Sequence, residues 1–218
     1  MTNAKFQTNF KLQVLNDQKG FSLIELIVVI GIIGIVAGTT ISYYFSMEPT
    51  FRVNGAARQI MGNLMWARMR AISENNNYAI AFGSTGPDLS NDTYYIYDDG
   101  DNDFNTVGTE TGELVKTVVI PDEYKDIGYG FVVGMKKTSG GTLGVGDSPV
   151  TFSSSIPAGN VRWFWFEPTG RSNKNGTIYL ISNEDETNGI KERARAITVI
   201  QTGRVKILNY NTGNNQWE

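Results

Sequence analysis

The sequence predicts an α+β fold in which one long N-terminal helix packs on an antiparallel β-sheet domain. Three observations predict it. Residues 21–41, FSLIELIVVIGIIGIVAGTTI, form one long apolar run. Val53, Ala57, Ile60, Leu64, Ala67 and Ala71 then recur at alternating steps of four and three, the spacing of a single helical stripe. After Asn77 the period of the apolar pattern drops to two, the period of strands.

The elements follow in order. Residues 1–20 are polar and carry Lys5, Lys11 and Lys19 against one acid, Asp17. The small residue Gly20 precedes the apolar core, the reverse of a secretory signal peptide, where the cut site follows it. At about 1.5 Å per residue, residues 21–41 reach roughly 30 Å, the thickness of a bilayer core. The basic residues precede this span, and the next one is Arg52. The positive-inside rule therefore expects a cytoplasmic N-terminus and a single pass, with the rest of the chain on the far side. Residues 42–77 read as the amphipathic continuation of the same helix, with Pro49 as a kink and the asparagines at 75–77 as its end.

Residues 78–218 read as a β-rich globular domain. Strands are expected at 78–82, 93–97, 114–120, 129–133, 150–152, 161–166, 177–181, 194–200 and 204–210. Asn175 with Gly176, and Thr202 with Gly203, mark expected hairpin turns. The run Trp163, Phe164, Trp165, Phe166 is expected to bury both faces of a central strand, with a stacking platform as the alternative. Residues 84–130 hold eleven acids against two lysines, a net −9 that reads as an acidic insertion, whereas residues 161–218 hold eight bases against six acids, a net +2.

Composition excludes several chemistries. The chain has no cysteine and no histidine. Disulfides, thiolate metal sites and the Ser/His/Asp and Cys/His arrangements are thereby ruled out. A tethered enzyme would need a carboxylate pair or a lysine base, and no residue stands out for either role. The glycine-rich segment 138–149 lacks the Gly-Lys-Ser/Thr of a phosphate loop.

The junction Lys19, Gly20, Phe21 with Glu25 inside the apolar span carries the most information. An ordinary anchor has little reason to hold a carboxylate, since intramembrane acids are costly and are usually paired. GFSLIELIVVIGIIGIVAG resembles the N-terminus of type IV pilins and pseudopilins. The resemblance implies cleavage by a prepilin peptidase between Gly20 and Phe21, N-methylation of the Phe21 amine, and pairing of Glu25 with a neighbouring subunit's amine during assembly. The run 66–72 (WARMRAI) followed at once by a strand, with FEPTGRSNKNGTIYLI (166–181) and ARAITVIQTGRVKI (194–207), is similar to the GspH/FimT-type minor pseudopilins. That similarity implies a non-enzymatic structural subunit of a type II secretion pseudopilus or a type IV pilus, held in the bacterial inner membrane with its C-terminal domain in the periplasm. The implied partners are other major and minor pseudopilins or pilins, the peptidase, and a secreted substrate or secretin. The alternative implied function is DNA binding in natural transformation. It rests on Gly203, Arg204 and Lys206, where the family pattern has arginine at the last position. Alternation places Arg204 and Lys206 on one strand face, and Arg193 and Arg195 on the partner strand would complete a basic strip. The competing reading is a solvated face balanced by nearby acids.

Calcium is the one cofactor the sequence suggests. Asp99, Asp101, Asp103, Asn105 and Glu110 occupy positions 1, 3, 5, 7 and 12 of an oxygen-ligand loop. Phe104 stands where such loops have glycine, and the flanks read as strands. Related major pseudopilins use a calcium site; the competing reading is a solvated acidic loop. Calorimetric titration of the full-length chain in detergent should show calcium binding at millimolar concentration or below, and no heat in that range removes the reading.

Overall fold

The computed structural model describes residues 20–83, 92–100, 114–152 and 162–218, apart from the side chains of 41–43, 45 and 46. The chain divides into two compact units, Met1–Phe45 and Ser46–Glu218. Helix α1, Leu23–Glu74, runs 52 residues and continues through Pro49. Proline cannot donate to the carbonyl four residues back, but this removes one bond of a long ladder.

In the first unit, Leu23–Thr40 has a mean hydropathy of 2.4 and buries none of its length within the chain. It is the one helix among the described residues long and apolar enough to cross a membrane. Its polar side chains are locally satisfied. Thr40 Oγ1 donates to the Val36 carbonyl at 2.8 Å, and Thr39 Oγ1 to the same carbonyl at 3.0 Å.

The second unit is built around the helix stripe. Val53, Ala56, Ala57, Ile60, Leu64, Ala67 and Ala71 are all fully buried. Val53, Ile60 and Leu64 each contribute about 2 kcal/mol when they leave water, and each alanine methyl about 0.8 kcal/mol. Two antiparallel sheets close over the stripe. The first has the order β3-β2-β1-β5, from β1 (Asn77–Phe82), β2 (Thr93–Asp99), β3 (Leu114–Val119) and β5 (Arg162–Phe166). The second has the order β4-β6-β7-β8-β9, from β4 (Ile127–Tyr129), β6 (Gly176–Ser182), β7 (Arg195–Val199), β8 (Val205–Asn211) and β9 (Gln216–Trp217). One core joins the helix to Ile80, Phe82, Tyr94, Phe164 and Phe166 of the first sheet and to Ile178, Leu180, Ile197 and Val199 of the second. The alternate residues of the second sheet, Tyr179, Ile181, Ala196 and Tyr210, form a smaller cluster with Phe131, Met135 and Leu143.

Several expectations are corrected. Residues 84–130 are not wholly an insertion, because β2 and β3 are half of the first sheet and Tyr94, Ile96, Val118, Ile120 and Ile127 lie in the main core. Helix α1 stops at Glu74 and β1 begins at Asn77, so the helical half ends short of 77. The expected strand 129–133 leaves its sheet after Tyr129; Gly134 takes φ +90° and Met135 N–H closes a turn on the Val132 carbonyl. Residues 150–152 make only a bridge between Val150 and Ile178. Asn175 and Gly176 make no hairpin, since β5 pairs with β1 while β6 pairs with β4 and β7. Gly176 is needed for space instead, as a Cβ there would collide with the Phe152 ring. Strand β5 is an edge strand among the described residues, yet it is buried on both faces. Phe164 and Phe166 enter the main core, while Trp163 clusters with Ala79, Ala81 and Tyr97 on the opposite face. Two short helices, α2 (Ile120–Glu123) and α3 (Asn183–Asn188), and strand β9 were not expected.

Asp92, just before β2, links that inner strand of the first sheet to β4 at the edge of the second. Its carboxylate accepts the Tyr129 N–H at 2.5 Å and lies over Gly128, where a Cβ would collide with it. Burial pushes this carboxyl up from 3.8 to about 6; the Tyr129 hydrogen bond opposes the shift and Glu186 adds to it. The folded chain therefore binds this proton more tightly than the unfolded chain. The stabilisation is fully present below about pH 4 and is lost as pH rises through about 6. Asp92→Asn keeps an acceptor for Tyr129 and removes the charge. It is expected to raise the melting temperature at pH 7 and to flatten the pH dependence between 4 and 6. An unaltered pH profile would contradict the assignment.

Candidate functional site

The N-terminal junction is open. Gly20 is exposed, and Phe21 is 91% exposed. Ser22 immediately precedes the helix, and its carbonyl accepts the first intrahelical bond, from Leu26 N–H at 3.1 Å. Glu25 Oε2 accepts the Ser22 N–H at 3.1 Å. This is the backward half of a capping box, in which the third helical residue holds a backbone donor that the helix itself leaves unused. A carboxylate in the first turn also meets the positive end of the helix dipole. Ser-x-x-Glu just before an apolar run is a pattern present in the sequence, at Ser22 and Glu25. The chain itself thus supplies Glu25 with a backbone donor.

The acidic loop lies mostly outside the described residues. Asp99 ends β2 opposite Asn77 and is buried. Asp101, Asp103, Asn105 and Glu110 lie outside the described residues. Among the described residues no group of three or more acidic side chains is placed to hold a metal ion.

The C-terminal basic residues separate into two sets. Arg195 points into the fold, where its Nε donates to Asn54 Oδ1 at 2.7 Å and its Nη1 to the Ala194 carbonyl at 2.9 Å. Burial lowers its pKa. Arg193 pairs with the buried Asp185 at 3.0 Å. Burial pushes the Asp185 carboxyl up, and Arg193 opposes that shift. The four-residue strip is therefore not formed. Arg204 and Lys206 remain, both exposed, and both line a cleft of about 570 Å³ on the face of the second sheet turned away from the helix.

The turn that presents them is built by close approach. Val199 pairs with Val205, and Gly203 N–H closes the hairpin on the Ile200 carbonyl at 2.8 Å, as expected for Thr202 and Gly203. Gly203 is buried with φ +78°, and a Cβ there would run into the Gly170 carbonyl oxygen. Arg68 of α1 donates its Nε to that same oxygen at 2.7 Å. Helix, 167–171 turn and 200–204 turn meet at one atom. Neither Arg68 nor Gly170 was singled out from sequence, because no local pattern shows that two turns distant in the chain will touch.

Two family models match the chain: one described as the prokaryotic N-terminal methylation motif, over residues 15–41, and one described as type II transport protein GspH, over residues 56–203. No curated protein matches. Solved structures similar to it include the type IV minor pilin FimU of Pseudomonas aeruginosa, at 15% identity over 71% of this chain and 90% of that one, with a TM-score of 0.42. The minor pseudopilin EpsH from the type 2 secretion system of Vibrio cholerae is similar at 10% identity over 72% of this chain and 97% of that one, with a TM-score of 0.42.

Gly203→Ala should lower the stability of the full-length chain in detergent by at least about 2 kcal/mol, combining left-handed strain with the clash against Gly170. Gly140 has φ +96° and open space around it, so Gly140→Ala should show the strain alone. Equal losses on chemical unfolding would mean that the contact between the turns is unimportant.

Proposed function

The chain belongs to the GspH family of type II transport proteins, and from that premise we propose that it is a minor pseudopilin that works by assembling into a short helical fibre, of a type II secretion pseudopilus or a type IV pilus. The observation that carries this reading is the N-terminal unit. An apolar helix long enough to span a membrane, unburied along its length, starts two residues after Phe21 and holds one carboxylate in its first turn.

In this reading a prepilin peptidase cuts after Gly20. The new Phe21 amine is a cation at the membrane surface, and N-methylation leaves it charged. The periplasmic domain then faces other minor subunits, a secreted substrate or the secretin. Glu25 has two successive partners. In the lone subunit its carboxylate holds the Ser22 N–H, a charge-assisted bond worth about 1.5–3 kcal/mol. A carboxylate at the bilayer centre costs at least about 2.5 kcal/mol, and less near the surface, so the cap offsets much of the cost. A neighbour's amine offsets more, because it brings a full opposite charge into a low-dielectric setting. The lone subunit is thus tolerated in the membrane and the assembled one is favoured.

Mass spectrometry of the chain expressed with a prepilin peptidase should find a mature N-terminus at Phe21 carrying one methyl group. In the same cells Glu25→Gln, which keeps an acceptor for Ser22 but loses the charge, should be cleaved normally. It should nonetheless enter fibres about as poorly as Glu25→Ala, at a tenth or less of the normal level. A chain still beginning at Met1 would overturn the reading. Normal incorporation of Glu25→Gln would show that charge pairing is dispensable.

A further inference from the structure

The cleft on the outward face of the second sheet combines exposed cations with a wall of hydroxyls. One wall presents Arg204, immediately before β8, and Lys206 of β8, separated by one residue so that both side chains line the cleft. Lys206 stands opposite Thr198 of β7. The facing wall is a set of hydroxyls. Thr138 Oγ1 and Thr177 Oγ1 are 2.6 Å apart, Thr138 N–H donates to Tyr179 Oη at 3.1 Å, and Thr151 Oγ1 accepts the Thr177 N–H at 2.8 Å. Thr138 is shared with an adjoining cavity of about 370 Å³, lined by Lys136 and Trp217 among others. No carboxylate lines either cavity among the described residues. Neither Arg204 nor Lys206 makes a side-chain hydrogen bond or ion pair among the described residues. The whole chain is nevertheless acidic, at −3.

We propose that this cleft is a docking site for an acidic, extended peptide segment of a partner protein, with Arg204 and Lys206 taking its carboxylates and the threonine wall hydrogen-bonding its backbone. The charge count favours a peptide over a nucleic acid. Polyanion binding rests on many phosphate contacts, whereas Arg193 and Arg195 are engaged inside the fold and leave two cations in the main cavity. Two suit one or two carboxylates, which the planar guanidinium can take in a fork. Hydroxyls both donate and accept, as a peptide backbone requires. An unpaired carboxylate pressed against this wall would otherwise lose its water without compensation, so complementarity of charge gives the site its selectivity. The proposal goes beyond the assembly role and does not depend on leader cleavage or on Glu25.

The test uses the full-length chain in detergent micelles with three labelled probes: a short oligoglutamate peptide, the matching oligoglutamine peptide, and a thymidine oligonucleotide. Fluorescence anisotropy should show saturable oligoglutamate binding that weakens with added salt, with no binding of oligoglutamine. Arg204→Ala with Lys206→Ala should weaken it about tenfold or more, while Arg171→Ala, outside the cleft, should leave it unchanged. Thr198→Asp, which places a carboxylate opposite Lys206 without removing either cation, should weaken it to a similar degree. Absence of saturable oligoglutamate binding overturns the proposal, as does binding indifferent to these cleft variants. Tighter binding of the oligonucleotide through the same two residues would overturn it in favour of a nucleic-acid site. A chain that is processed and assembled but fails to bind oligoglutamate loses this proposal alone.

Discussion

Everything in the globular unit depends on one contact surface, the stripe of small and aliphatic residues from Val53 to Ala71 on α1. Four of its seven residues are alanines, and all seven are sealed from water. Small side chains let two sheets approach the same helix. Phe82, Phe152 and Phe164 then fill the space between, with Phe152 and Phe164 stacked at 4.3 Å between centroids. A bulkier stripe would hold the sheets apart and leave cavities beside these rings.

That surface also decides what is left outside. Every strand that turns alternate residues to the helix must turn the others away. In the second sheet Ile197, Val199 and Val205 go in, so Thr198 and Lys206 go out. The same rule takes Arg195 inward on the face of Ile197, where Asn54 and two carbonyls receive its protons. Two arginines two residues apart in sequence thus have unrelated fates: Arg193 meets Asp185 near the short helix α3, and Arg195 lies under α1. A basic cluster counted along the chain becomes a pair of cations in a hydroxyl-lined cleft.

The N-terminal unit obeys a different constraint. Among its described residues no side chain is buried, so each polar group must be satisfied along the helix itself. Thr39 and Thr40 return their protons to carbonyls one turn back, and Glu25 holds the amide of Ser22. The carboxylate is therefore part of the helix start.

Much of this was legible in the sequence. The apolar span, the helical stripe, seven of the nine expected strands and the Thr202, Gly203 turn are patterns of period and turn chemistry, which act between residues close in the chain. The capping box was legible too, in Ser22 and Glu25. Helix α3 has acids in its first turn and Gly189 just past its end, signals hidden by reading the acids only as counter-charges. What sequence could not supply is partnership across distance. That β5 pairs with β1 and leaves β6 to the other sheet, that Gly203 meets Gly170 and Arg68, that Asp92 reaches Tyr129, and that Arg195 is buried while Lys206 is exposed all follow from which surfaces close on the helix. Local patterning determined the elements and the long apolar N-terminal span with its single acid, because rise, period and capping are properties of neighbours. Only the tertiary structure decided which cations remain free and what wall they face, because that depends on how two sheets share one helix.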